Sequence, residues 1–184
     1  AGDLTFRALG PRTGVYAEPS VLEAAAWEFA ENESRLAAAE ALLGPYLWDR
    51  YDLLVMPPSF PYGGMENPRL TFVTPLVILG DRSRTWLITH ELAHAWTGNL
   101  ITNAPWQDFW LNEGWTTYAD SRITEALHGP DFARLGDLLN VRDLEDDLRS
   151  FGPGSERTCL HSSMEGIDPD QAFSVVPYIK GFLF

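Results

Sequence analysis

Apolar and polar positions follow two different periods along the chain. Near the start, LTFRAL at 4–9 and TGVYA at 13–17 are short runs broken by Gly10 and Pro11, which predicts two strands. From Ser20 to about Leu43 the spacing turns helical, with Ala and Leu recurring through VLEAAAWEFAENESRLAAAEALL, and predicts one long helix. Ser20 with Glu23 suits a capping box, and Gly44–Pro45 supplies the stop. YDLLVM at 51–56 predicts a buried strand ended by Pro57 and Pro58, and the following PPSFPYGGMEN shows neither period. Residues 70–74 predict another strand and 76–79 a short extended run.

Asp81 and Ser83 are N-cap choices for a helix reaching about Leu100. After an aromatic linker containing Pro105, a helix through Glu113 runs to about Leu127 and stops at Gly129–Pro130. The next helix, 131–149, carries Phe132, Leu135, Leu138, Leu139 and Leu148 on an expected apolar face. Residues 150–170 are rich in Gly, Ser and Pro and predict an irregular loop, after which AFSVVPYIKGFLF opens like a helix. Strands early and helices later predict an α+β chain that is mainly α-helical.

Composition narrows the function. At 184 residues, 45% of them apolar, with seven tryptophans and ten phenylalanines, the chain can bury one sizeable core. No apolar run reaches the length of a membrane span, and the first residues show no signal-peptide pattern. The formal net charge of −13 argues against nucleic acid or an anionic membrane as partner. Part of that charge is the run Asp143, Glu145, Asp146 and Asp147, read as a solvated helix face. The single cysteine, Cys159, rules out an internal disulfide and points to a reducing, cytoplasmic setting.

The chemistry centres on WLITHELAHAWTGN at 86–99, where His90, Glu91 and His94 spell H-E-x-x-H. On a helix, positions i and i+4 share a face, so His90 and His94 can offer ring nitrogens to one point. Two neutral imidazoles arranged this way suit a single Zn²⁺ ion, and Glu91 beside them can take a proton from metal-bound water. Glu113, after eighteen intervening residues, can complete the two-histidine, one-carboxylate set of a catalytic zinc site. Upstream, Gly63, Gly64, Met65, Glu66 and Asn67 spell GGMEN, where paired glycines let backbone approach a ligand.

PYGGMEN, HELAHAW and the glutamate of WLNEG together resemble the zinc aminopeptidases of the thermolysin-like clan. PPSFPYGGMENPRLTFVTP, WTGNLITN and FWLNEGWTTY are similar to the branch that contains leukotriene A-4 hydrolase and aminopeptidase B, over about Gly10 to Phe184. The resemblance implies a thermolysin-like catalytic domain spanning 1–184, with a small N-terminal sheet and a helical lobe carrying the zinc helices. It further implies covalently linked neighbouring domains, β-rich before and helical after. The substrate implied is a peptide with a free N-terminal amine. Glu66 is then the anchor for that ammonium, Gly63 and Gly64 are backbone contacts, and Tyr178 of VVPYIKG donates a hydrogen bond to the tetrahedral intermediate.

Asp120, two helical turns beyond Glu113, is read as a partner of a zinc-bound imidazole, and Asn112 as a further orienting group. His128 and His161 lack motif context, and Trp96, Trp110 and Trp115 read as core packing. Two other functions stand beside aminopeptidase activity. One is epoxide hydrolysis, for which Asp170 matches the resembling branch while Phe173 departs from it. The other is a zinc-binding but catalytically incomplete fragment.

Overall fold

The early apolar runs pair into one mixed sheet. A computed structural model describes residues 2–161, 163, 165, 166, 168 and 174–184. It contains β1 (Thr5–Ala8), β2 (Thr13–Ala17), β3 (Tyr51–Val55), β4 (Gly64–Met65) and β5 (Leu70–Val73), in the order β1-β2-β3-β5-β4. The central β2, β3 and β5 run parallel, while β1 and β4 are antiparallel to their neighbours. Val15, Ala17, Leu53, Val55 and Val73 are buried along these central strands, and the near-continuous apolar runs reflect cover on both faces. Residues 76–79, expected to be extended, instead enter a 3₁₀ turn at Pro75–Val77, begun by Thr74 Oγ1 accepting from the Leu76 N–H at 3.4 Å.

The chain forms two compact units, Ala1–Ala95 and Trp96–Phe184. In the first, the single helix expected over 20–43 is two: α1 (Leu22–Glu28) and α2 (Asn32–Leu43). The cause lies far away in sequence. Glu28, wholly buried, turns its carboxylate to accept the N–H groups of Gly80 (2.7 Å) and Arg82 (2.8 Å), and the chain kinks after it. The capping box does not form either, since α1 begins without a side-chain cap and Glu23 pairs with Arg7. Helix α3 (Trp86–Ala93) is likewise shorter than expected, and Asp81 accepts from the Ser83 N–H in a turn before it without capping it.

In the second unit, α4 (Phe109–His128) and α5 (Pro130–Phe151) are long helices separated by Gly129, whose φ of 88° no β-branched or bulky residue holds comfortably. A π-helix over Val176–Lys180 runs directly into α6 (Gly181–Leu183). Val176 and Ile179 form a small core with Leu144 of α5, flanked by Leu148, Phe151 and Tyr178. The inward stripe of α5 is therefore Ala133, Leu144 and Leu148. Phe132, Leu135, Leu138 and Leu139 are more than half exposed, which reverses the expected apolar face for all but Leu148. Of the three tryptophans expected in the core, Trp96 is buried, Trp110 is half-buried and Trp115 is 54% exposed. The fold is α+β and mainly helical.

Candidate metal and active site

Helix α3 carries both motif histidines within the sheet-bearing unit. The regular helix ends at Ala93, yet His94 keeps helical torsions (φ −57°, ψ −21°) and its N–H still reaches the His90 carbonyl at 3.3 Å. The i, i+4 spacing is thus preserved where the helix stops. Both imidazoles are buried, with ring centroids 4.9 Å apart and planes at 85°.

Several side chains hold α3 in place. Arg35, buried on α2, donates from Nη2 to Thr85 Oγ1 (2.7 Å) and from Nε to Thr89 Oγ1 (3.2 Å). The Tyr51 hydroxyl donates to the Ile88 carbonyl at 3.3 Å, and Trp48 Nε1 donates to the Ala95 carbonyl at 3.0 Å. That last bond satisfies one of the carbonyls that a helix end leaves open. None of these supports has a sequence motif; they became visible only through the fold.

The GGMEN stretch, expected to be irregular, contributes the edge strand β4. Gly64 pairs with Val73 and Met65 with Phe72. Gly64 also lies directly against α3, so that a Cβ there would sit 2.7 Å from Glu91 Cγ and overlap the carboxylate. Gly63 is looser, its Cβ position standing 3.5 Å from Leu87 Cδ1. Met65 is exposed, while Glu66 and Asn67 are half-buried and Asn67 Nδ2 is buried with no partner among the described residues. Ligand atoms of Glu66, Glu91 and His94 all lie within 4.8 Å of one another. Two carboxylates that close attract a cation to the space between them.

In the helical unit, Glu113 is 4% exposed in the second turn of α4. Asn112 precedes it, half-buried, with Oδ1 buried and without a partner among the described residues. Asp120 is half-buried and accepts from Thr124 Oγ1 at 3.3 Å. Tyr178 sits in the π-helix, half-buried, its ring edge-on to Phe109 of α4 with centroids 6.1 Å apart. Lys180 Nζ donates to the Thr158 carbonyl at 2.7 Å and ties the π-helix to the preceding loop. His161 pairs with Asp108 at 2.7 Å on the surface, and His128 rests against Phe132. Cys159 is exposed. Asp170 and Phe173 lie outside the described residues.

The peptidase family M1 domain matches residues 27–184, and the chain belongs to that family. It is 51% identical over 181 residues to a leukotriene A-4 hydrolase of Xenopus laevis, a match that covers 98% of this chain and 30% of that protein. It is also 51% identical over 184 residues to leucine aminopeptidase 2-1 of Meyerozyma guilliermondii, again over 98% of this chain and 30% of that protein. Among solved structures, yeast LTA4 hydrolase in complex with bestatin is similar with a TM-score of 0.94 at 44% identity, covering 99% of this chain and 29% of that one. The chain thus spans about 30% of the length of the curated relatives it matches.

Proposed function

We propose that this chain is the catalytic domain, 1–184, of a zinc aminopeptidase that removes N-terminal residues from peptides. His90, His94 and Glu113 hold one Zn²⁺ ion. The donor set fits: two buried imidazoles at helical spacing and one buried carboxylate are the nitrogen and oxygen ligands that zinc prefers. When bound, zinc supplies Lewis-acid polarisation of the scissile carbonyl and lowers the pKa of water to about 7.

The chain's own residues do the rest. Glu91 takes the proton from the attacking water and delivers it to the leaving amine. Glu66 pairs with the substrate's α-ammonium and so sets the scissile bond one residue from the terminus. Gly63, Gly64, Met65 and Asn67 line the substrate backbone, a role supported by β4 having a strand partner on one side only among the described strands. The Tyr178 phenol donates to the oxygen that gains charge, a contribution of about 3 kcal/mol by analogy with other oxyanion donors. Asn112 and Asp120 orient the ligand residues.

The observation that carries this reading is the approach of Glu66 to Glu91 and His94 within 4.8 Å. A second carboxylate beside the general base makes a place for one positive charge, and a peptide's N-terminal ammonium is that charge. Epoxide hydrolysis is the second reading; the 51% identity to a leukotriene A-4 hydrolase is matched by 51% identity to a leucine aminopeptidase and does not favour it over peptide hydrolysis. A zinc-binding but catalytically incomplete fragment is the third, favoured by the 30% coverage of the relatives, which supports covalently linked neighbouring domains. The lone, exposed Cys159 supports a cytoplasmic setting. Among the described residues no helix is long and apolar enough to cross a membrane.

The test is hydrolysis of a panel of aminoacyl amides by the zinc-loaded intact protein, each compared with its N-acetylated twin. Cleavage of free amines alone is expected. Equal cleavage of both would make the enzyme an endopeptidase and remove the ammonium role of Glu66. Zinc binding without cleavage of either, by the chain alone, would favour the incomplete fragment.

A further inference from the structure

Two glycines of the helical unit touch backbone to backbone. A Cβ on Gly114 of α4 would stand 2.6 Å from both Cα and C of Gly181 and 3.1 Å from its carbonyl oxygen. Conversely, a Cβ on Gly181 would stand 2.9 Å from Gly114 Cα and 3.2 Å from the Trp110 carbonyl oxygen. The obstacles on both sides are main chain, which cannot swing away as a flexible side chain would. Neither glycine is needed for its torsions. Gly181 has φ −61° and ψ −40°, and Gly114 is helical, so alanine could adopt either backbone conformation. Glycine is the poorest helix former after proline, so a facing pair inside two helices is a local cost offset only by the close approach it permits.

The contact falls at a telling place. Gly114 directly follows Glu113, and Gly181 follows Tyr178 by three residues, directly after the π-helix that carries the tyrosine. A π-helical turn is wider than an α-turn and is frequent at functional sites. Here its far end is pinned against α4 by the glycine pair, its apolar face by Val176 and Ile179 in their core with Leu144, and its last residue by Lys180 Nζ on the Thr158 carbonyl. The Tyr178 ring then meets Phe109 on the same α4 helix.

We propose that the Gly114–Gly181 contact is a positioning device that sets the Tyr178 hydroxyl against the helix bearing Glu113. The inference rests on the reading of Tyr178 as the hydrogen-bond donor to the reacting oxygen. Tyr178 is the catalytic residue; the glycines act through it by fixing the separation of the two helices. An added methyl on either glycine pushes the π-helix off α4. A displacement of about 1 Å at a donor costs about 100-fold in turnover, since the bond is needed only in the transition state.

The experiment uses Gly114→Ala, Gly181→Ala, Tyr178→Phe and the double variant Gly181→Ala/Tyr178→Phe in the intact protein. Gly136→Ala is the control: Gly136 is exposed on α5, with nothing within 4 Å of its Cβ position and no positive φ. The glycine-pair variants should keep zinc at one per chain and KM within about twofold, and lose about 10- to 100-fold in kcat. In the Tyr178→Phe background the same Gly181→Ala change should cost almost nothing further, because the group it displaces is already gone. A readout independent of turnover is the ¹⁹F resonance of 3-fluorotyrosine at 178, which should shift in the glycine-pair variants and stay fixed in Gly136→Ala.

Unchanged kcat in folded Gly181→Ala, or losses that multiply with Tyr178→Phe, would overturn the proposal. So would loss of the folded state in both glycine-pair variants, which would make the contact a folding requirement only. Failure of the underlying reading looks different: Tyr178→Phe itself would then leave kcat unchanged.

Discussion

At the scale of single residues the decisive pair is Glu91 and Glu66, two carboxylates near one histidine to which the proposed function gives different tasks. Glu91 is buried and lies over Gly64, whose missing side chain makes the room it occupies. If Glu91 is the general base, Glu91→Gln keeps shape and burial but cannot accept the proton. Zinc content measured by elemental analysis should stay at one per chain, while kcat/KM falls about 10²- to 10⁴-fold. Retained activity would remove the assignment. Glu66 is only half-buried, and under the proposed reading it holds the substrate's ammonium and not the reacting water. Glu66→Ala should therefore raise KM for free-amine substrates about 10- to 100-fold, the value of one hydrogen bond to a charged group, and leave zinc in place. Loss of zinc in that variant would show that Glu66 is structural. The residue types of this site were legible from motif and resemblance. Their supports were not: Arg35, Tyr51 and Trp48 reach α3 from distant segments and follow no local period.

At the scale of elements, what determines where helices stop here is tertiary hydrogen bonding more than propensity. The run from Ser20 to Leu43 has the composition of one helix, and no glycine or proline interrupts it. It breaks because the Glu28 carboxylate serves the loop that leads into α3. The edge strand β4 was illegible for a related reason, since two residues are too short for any period to register. The exposed face of α5 misled in the opposite way: four large apolar residues at helical spacing point outward while Ala133 and Leu144 point in. Glu28→Ala tests the first of these arguments. It removes the acceptor of two N–H groups and should destabilise the protein by about 2 kcal/mol, read from urea unfolding as a lower midpoint at unchanged slope. The cost stays moderate because Arg82 remains tied to this region by its own bonds to the Trp27 carbonyl and to Glu31, and by stacking on Trp27 at 4.4 Å. A change below 0.5 kcal/mol would mean that the kink needs no such anchor.

For the whole molecule, the window of stability against pH follows from groups in the sheet-bearing unit. Arg12 clasps Glu40 with two bonds, Nη1 to Oε1 at 2.9 Å and Nη2 to Oε2 at 2.6 Å, and the Tyr46 N–H adds a third at 3.0 Å. The Arg12 hydrogen bonds hold the Glu40 carboxyl below its ordinary value of 4.5. A depressed carboxyl contributes its full share above that value and loses it as pH falls through the folded one, because the unfolded chain takes up the proton first. On the alkaline side, burial raises the phenols of Tyr46 and Tyr51 well above their ordinary value of 10.0. Raised groups contribute fully below the unfolded value and lose that contribution as pH climbs towards the folded one, since only the unfolded chain releases the proton. The net charge of −13 grows more negative over the same alkaline range and adds self-repulsion in the same direction. Tm should therefore be level from about pH 5 to 9 and fall on both sides. Glu40→Gln should flatten the acid limb alone and Tyr46→Phe the alkaline limb alone, each lowering the plateau through its lost bonds, Tyr46 through its 3.1 Å hydrogen bond to the Arg50 carbonyl. Parallel displacement of the whole curve in either variant, with both limbs as steep as before, would show that these groups hold the fold without controlling its response to protons.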